Sequence, residues 1–185
     1  MKKVFIVKTS PRKNGNTDIL ADAFKTGAIE AGHKVDEIRF AECNINYCQG
    51  CFGSASPKAC QNSGVCWQQD DMADIILRVK QSDVLVFASP VYFYTLSAQI
   101  KTFLDRMVPL YKKEYSFRDV YLLAACENPE KSAVRGMVQG LNQWMICFPE
   151  VKLSGVVYGV GLLKSGDVRK HPEQLEASHL MGRNC

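Results

Sequence analysis

The chain is poor in the features that mark several large functional classes. It has three histidines, His33, His171 and His179. None shares a ligand-like spacing with a cysteine, so a mixed histidine–cysteine metal site has no support, and the three read as surface residues. Net charge is only +4, and no basic stripe interleaved with aromatics runs along the chain, which argues against nucleic acid as a partner. No apolar run approaches membrane-spanning length. The opening Met1-Lys2-Lys3 has the charges of a secretory leader, but its apolar run stops at Lys8, too soon for the leader's hydrophobic core. A cytoplasmic protein that contacts neither membrane nor nucleic acid is the expectation. Both common nucleotide fingerprints are missing: no Gly-x-Gly-x-x-Gly follows the first apolar run, and no Gly-Lys-Ser/Thr closes a phosphate loop. Repeats and linkers are absent too.

What is present reads as one folded domain over residues 1–185, with 46% hydrophobic and 23% charged residues. Short apolar runs at 4–8, 84–88, 120–125 and 151–158, with a charged one at 34–40, alternate with amphipathic stretches. Helices are predicted over 18–31, 70–81, 97–107 and 131–147, and a short one near 173–181. Asn16 or Thr17 is the expected cap of the first and Asp70-Asp71 of the second, while Gly32 ends the first. This β-α-β alternation predicts an α/β fold, an open parallel sheet with helices on both faces. Its charged second strand suits an edge. Ligands of such sheets bind at the carboxyl ends of the strands, where strand order reverses. Three polar loops fall there: 9–17, 89–96 and 125–131.

The first loop, Thr9-Ser10-Pro11-Arg12-Lys13-Asn14-Gly15-Asn16-Thr17, holds hydroxyls, amides, cations and a glycine. It precedes a helix whose free N–H groups favour an anion. Ser10, Asn16 and Thr17 offer side-chain donors, and Arg12 or Lys13 adds charge. A single phosphate monoester is the best fit, against the plainer reading of a polar loop with a helix cap. The second loop, Ser89-Pro90-Val91-Tyr92-Phe93-Tyr94, sets a rigid backbone and aromatics beside it, suited to a flat heterocycle, with part of Phe93 and Tyr94 expected in core packing.

Residues 41–69 lose all periodicity. Five of the eight cysteines fall there, Cys43, Cys48, Cys51, Cys60 and Cys66, in a stretch long enough to be functional rather than filler. The spacing Cys48-x2-Cys51-x8-Cys60-x5-Cys66 leaves three readings open: a [4Fe–4S] cluster, a tetrahedral zinc, or packed thiols in a loop that covers the site. Of the others, Cys126 is expected near the ligand loops, Cys147 in the core and Cys185 at a frayed terminus.

Residues 10–17, Ser89-Pro90-Val91-Tyr92 and Lys101-Thr102-Phe103-Leu104-Asp105-Arg106 together resemble the NADPH-dependent FMN reductase family of the flavodoxin-like superfamily, closest to its iron–sulfur flavoprotein branch. The resemblance covers the chain to about residue 130 and is weak over the tail, 159–185. It implies a five-stranded sheet of order 2-1-3-4-5 and bound FMN. Ser10, Arg12, Asn16 and Thr17 would then hold the phosphate, with Asn14 in the same loop. Ser89, Pro90, Val91, Tyr92 and Phe93 would lie along the ring. Thr9 stands where many relatives have glycine, and its hydroxyl is expected to face the phosphate.

The implied activity is an FMN-dependent oxidoreductase passing electrons from NAD(P)H to a small acceptor, such as a quinone, nitro compound or flavin. Tyr92, Tyr94 or Phe52 would stack on nicotinamide or acceptor. The alternative is an electron-transfer protein in which Cys48, Cys51, Cys60 and Cys66 ligate a [4Fe–4S] cluster that exchanges electrons with a ferredoxin-like partner. In the iron–sulfur flavoproteins the cysteines form a compact run, whereas here residues 52–59 separate the second from the third. The resemblance also implies a dimer or tetramer, with the 101–107 helix and the loop after Cys48 at the contact.

Overall fold

The computed structural model describes residues 1–185 apart from 52, 54 and 56–58. Its five parallel strands are β1 (Lys3–Lys8), β2 (Lys34–Arg39), β3 (Val84–Tyr92), β5 (Asp119–Ala125) and β6 (Lys152–Gly159), and β4 (Thr95–Leu96) turns back antiparallel on the end of β3. The order is β2-β1-β3-β5-β6, which is the 2-1-3-4-5 order expected for the five parallel strands. It reverses between β1 and β3. The helices are α1 (Asn16–Glu30), α2 (Cys60–Ser63), α3 (Met72–Lys80), α4 (Ala98–Asp105), α5 (Arg135–Met145) and α6 (Pro172–Arg183).

Alternation along the strands sorts the core into two layers, as expected of a parallel sheet covered on both faces. Phe5, Val7, Leu85, Phe87 and Leu122 pack on one side with α3, α4 and α5. Val4, Ile6, Val84, Val86 and Leu123 pack on the other with α1 and the tail. β2 is the charged edge.

α6 crosses α1 at backbone contact: a Cβ on Gly27 would lie 2.0 Å from the His179 carbonyl oxygen, and one on Gly182 would lie 2.0 Å from that of Phe24. Only glycine permits that approach. Ser178 Oγ donates to the Leu20 carbonyl at 2.7 Å within the same contact. Cys185 is therefore buried rather than frayed, with its thiol pushed up to about 11 by burial. Cys147, expected in the core, is exposed just past the end of α5. Met145 at the end of that helix and Phe148 just beyond it point inward, which turns Ile146 and Cys147 out.

The cysteine-rich segment hangs from a buried ion pair. Arg106 meets Asp70 through two bonds, Nη1–Oδ2 at 2.6 Å and Nη2–Oδ1 at 2.8 Å, with side chains 1% and 0% exposed. Nη1 also donates to the Asn46 carbonyl at 2.7 Å, and Nη2 lies 3.5 Å from Cys66 Sγ. Asp70 in turn accepts from the Met72 and Asn46 backbone N–H groups; the N-cap position of α3 is Asp71, whose side chain makes no cap bond. Burial raises the Asp70 pKa, but the Arg106 guanidinium and these N–H groups outweigh it and bring the value down to about 2.

Candidate functional site

A cleft of about 280 Å³ opens at the carboxyl ends of β1, β3 and β5, where the strand order reverses. The three polar loops meet there. Ser10, Arg12, Asn16 and Thr17 line one side, Pro90, Val91 and Tyr92 a second, and Cys126 and Glu127 a third.

The first loop ends at Gly15, which takes the N-cap position of α1 in an extended conformation, φ −74° and ψ 177°, with no side-chain cap; neither Asn16 nor Thr17 fills that role. The N–H groups of the first turn have no intrahelical acceptor, and the Thr17 hydroxyl, on a buried residue, has no hydrogen-bond partner among the described residues. Ser10 Oγ accepts from the Arg12 N–H at 3.1 Å and shapes the turn. This donor set fits a phosphate monoester, because it offers N–H groups, a hydroxyl and the positive helix end with one exposed arginine at the rim.

An acidic residue in the same turn would repel an anion. Asp18 is buried there, and it is neutralised by an ion pair with Arg39 from the end of β2. Arg39 also donates to the Ser10 carbonyl at 3.1 Å, and Asp18 accepts from the Asn14 N–H at 2.8 Å. The pair shapes the loop, and neither member was singled out from sequence. An aspartate early in a helix and an arginine ending an edge strand are each ordinary alone; only the sheet order brings them together.

Several named residues have other employment. Asn14 adopts φ +56° and lies beside the cleft rather than along it. The Asn16 carboxamide is spent on the tail: Nδ2 donates to the Lys164 carbonyl at 2.9 Å and Oδ1 accepts from the Val168 N–H at 3.2 Å. The Thr9 hydroxyl, expected to face a phosphate, points instead to the Ala88 carbonyl at 3.2 Å. Ser89 is fully buried, with Oγ 3.4 Å from Ser97 Oγ, and braces the loop against the cap of α4.

Phe93 and Tyr94 are the two turn residues between β3 and β4, with Tyr92 paired to Thr95. Both have positive φ, +49° and +62°. That is the geometry of a tight primed hairpin turn, which Asn-Gly favours, and each aromatic there costs on the order of 1 kcal/mol. Neither ring joins the core: Phe93 is wholly exposed and Tyr94 mostly so, its hydroxyl accepting from Asn128 Nδ2 at 3.3 Å. The turn seats in a notch of α5, where a Cβ on Gly136 would lie 2.2 Å from the Tyr94 carbonyl oxygen. Phe52 lies outside the described residues.

Of the four candidate ligand cysteines, Cys60 is buried and the others are half-buried. Burial, and then the nearby thiols of Cys51, Cys66 and Cys48, push Cys60 up to about 11. Cys60 thus lies near enough to Cys51, Cys66 and Cys48 to feel their charge, and four thiols are a donor set that suits a cluster or zinc. Among the described residues, no three His, Cys, Asp or Glu side chains stand in a ready metal-holding arrangement.

The sequence from residue 2 to 159 matches the family model for NADPH-dependent FMN reductase. The chain belongs to that family. An iron–sulfur flavoprotein of Archaeoglobus fulgidus is 40% identical over 109 residues, 59% of this chain and 46% of its own length. The match thus spans about half the length of that protein and of the iron–sulfur flavoprotein MJ1083 of Methanocaldococcus jannaschii. The Bacillus subtilis NAD(P)H-dependent FMN-containing oxidoreductase YwqN is 26% identical over 193 residues, 98% of each chain. Among solved structures, an NAD(P)H:quinone oxidoreductase from Methanothermobacter marburgensis superposes with a TM-score of 0.75 at 19% identity, over 99% of this chain and 98% of its own, which shows the shared fold. The family match runs through β6 and stops before the tail.

Proposed function

We propose that this protein is an FMN-dependent oxidoreductase that takes electrons from NAD(P)H and delivers them to a small acceptor such as a quinone, a nitro compound or a free flavin. The observation that carries the reading is the junction, in one cleft, of an uncapped helix N-terminus with the rigid Pro90–Tyr92 backbone. Bound FMN supplies the electron chemistry that the protein's own side chains lack. The Ser10 and Thr17 hydroxyls, Arg12 and the first-turn N–H groups of α1 hold the phosphate. The backbone of residues 90–92 lies along the ring, and Tyr92 and Tyr94 offer aromatic faces to a flat substrate at the rim. The Asp18–Arg39 pair fixes the loop and keeps the Asp18 charge from the anion. The names of the Bacillus subtilis relative and of the Methanothermobacter marburgensis enzyme agree with this activity.

Thr17→Ala removes one hydroxyl bond to a charged group, and FMN affinity should fall about tenfold or more, since such bonds contribute roughly 1.5–3 kcal/mol. NAD(P)H oxidation by the FMN-loaded protein, with a quinone as acceptor, is the accompanying assay. Unchanged affinity in Thr17→Ala sinks the phosphate assignment.

A second reading starts from the cysteine spacing of residues 48–66 and the proximity of Cys60 to Cys51, Cys66 and Cys48. In it these thiols hold a [4Fe–4S] cluster, a one-electron centre, and the protein exchanges electrons with a ferredoxin-like partner. The half-length likeness to iron–sulfur flavoproteins points the same way. Anaerobic purification separates the two: iron and acid-labile sulfide in stoichiometric amount support the cluster, and a clean flavin spectrum without iron removes it.

A further inference from the structure

The segment after β6 has no place in the family match, which ends at residue 159. Yet Leu162, Leu163 and Ser165 line the cleft. We infer that residues 161–168 are a strap forming one wall of the cofactor site, and that Asn16 is the positioning residue that clasps it. This rests on the FMN reading of the cleft.

The strap bridges two of the three loops. At one end the Gly161 and Leu162 N–H groups donate to the Asn128 and Cys126 carbonyls at 3.1 and 2.8 Å, tying it to the loop after β5. At the other end it is tied to the first loop. The Asn16 carboxamide takes the Lys164 carbonyl and the Val168 N–H, and Ser165 Oγ reaches the Asn14 carbonyl at 3.4 Å. Gly161 and Gly166, at φ +73° and +84°, make the turns that let so short a segment span the gap. Beyond it, Val168 is buried in the α1 layer and α6 locks onto α1, so the strap is held from both sides.

Leu163 is the second observation. It is a large apolar side chain, 59% exposed, on a segment otherwise fastened by hydrogen bonds, and it borders the cleft. Leu162 beside it is buried in the α1 layer and lines the same wall. A ligand with an apolar body that fills the cleft covers Leu163, and the strap then stands between that ligand and solvent. Asn16 accordingly acts on FMN through the tail, not through its side chain on the phosphate.

The test uses FMN and riboflavin, which lacks the phosphate, with the full chain. Leu163→Ser removes apolar contact from an exposed position, and the FMN dissociation rate should rise up to about tenfold, in line with the loss of an aliphatic side chain that the ligand covers. Asn16→Ala loosens the same wall. It should weaken FMN and riboflavin by the same factor, and its effect should be less than additive with Leu163→Ser. Trypsin gives a readout independent of the variants: FMN should slow cleavage after the exposed Lys164 several-fold in the wild type. The inference is overturned if Asn16→Ala weakens FMN alone, which makes Asn16 a direct phosphate contact. Normal FMN binding with dissociation unchanged in Leu163→Ser overturns it too, and leaves the proposed function standing. A wild type that binds neither flavin overturns both.

Discussion

Replacing Arg106 by methionine removes the cation from a pair whose two side chains are 1% and 0% exposed. Asp70 is then a buried carboxylate without its guanidinium. Breaking such a pair costs about 3–5 kcal/mol. The lower end applies here, because the Asn46 and Met72 N–H groups still donate to Asp70. Against a total stability of about 5–15 kcal/mol for a domain, the loss is large. Urea unfolding measures it as a fall in midpoint of about 1–2 M at unchanged slope.

The same pair sets an acid dependence. Asp70 binds its proton less readily when folded, at about 2 against 3.8, so its contribution is complete above about pH 4 and disappears as pH falls through about 2. That contribution is about 2 kcal/mol in the wild type. In Arg106→Met this part of the acid transition should vanish. Adding Asp70→Asn to Arg106→Met should recover part of the stability by removing the stranded charge. A loss under about 1 kcal/mol in the single variant, with the acid transition unmoved, would refute the reasoning.

Other expectations follow from close approaches and special backbone positions. Gly182→Ala drives a Cβ into the Phe24 carbonyl, and should lower the melting temperature by several degrees as α6 lifts from α1. Phe93→Asn with Tyr94→Gly supplies the residues that a primed turn prefers, and should raise the melting temperature by a few degrees while weakening binding of flat acceptors, read as a rise in KM. Under alkylation at pH 8, exposed Cys147 should be modified in the native protein; Cys60 and Cys185, both pushed up to about 11 by burial, should react only on unfolding, which mass spectrometry of the labelled protein resolves.

The parallel strands and both helix layers were legible because they rest on local signals, whereas the strand order was legible only through the family resemblance. Runs such as Val84–Ala88 are apolar on both faces, which only a covered parallel strand tolerates, and β2 was legible as an edge from its charges. The position of the cleft followed from the topology. Individual side-chain roles were less legible, because they depend on what the fold brings alongside. Asn16 has phosphate-binding chemistry, but the tail reaches it first across 148 residues of sequence. Arg39 and Asp18 meet only because β2 lies beside β1. Cys185 gave no sign of burial, since nothing local shows that Gly27 and Gly182 let two helices touch. The Phe93-Tyr94 turn carries none of the residues that announce a tight hairpin, so its strain appears only in the backbone angles.

Comparison of FMN with riboflavin in binding titrations, followed by quenching of flavin fluorescence, tests the central claim most directly. A phosphate held by the first turn of α1, Thr17 and Arg12 predicts one FMN per chain, bound at least about tenfold more tightly than riboflavin. Thr17→Ala should narrow that gap while leaving riboflavin affinity unchanged. Equal affinity for the two flavins, or a gap that Thr17→Ala does not narrow, would contradict the assignment of this loop.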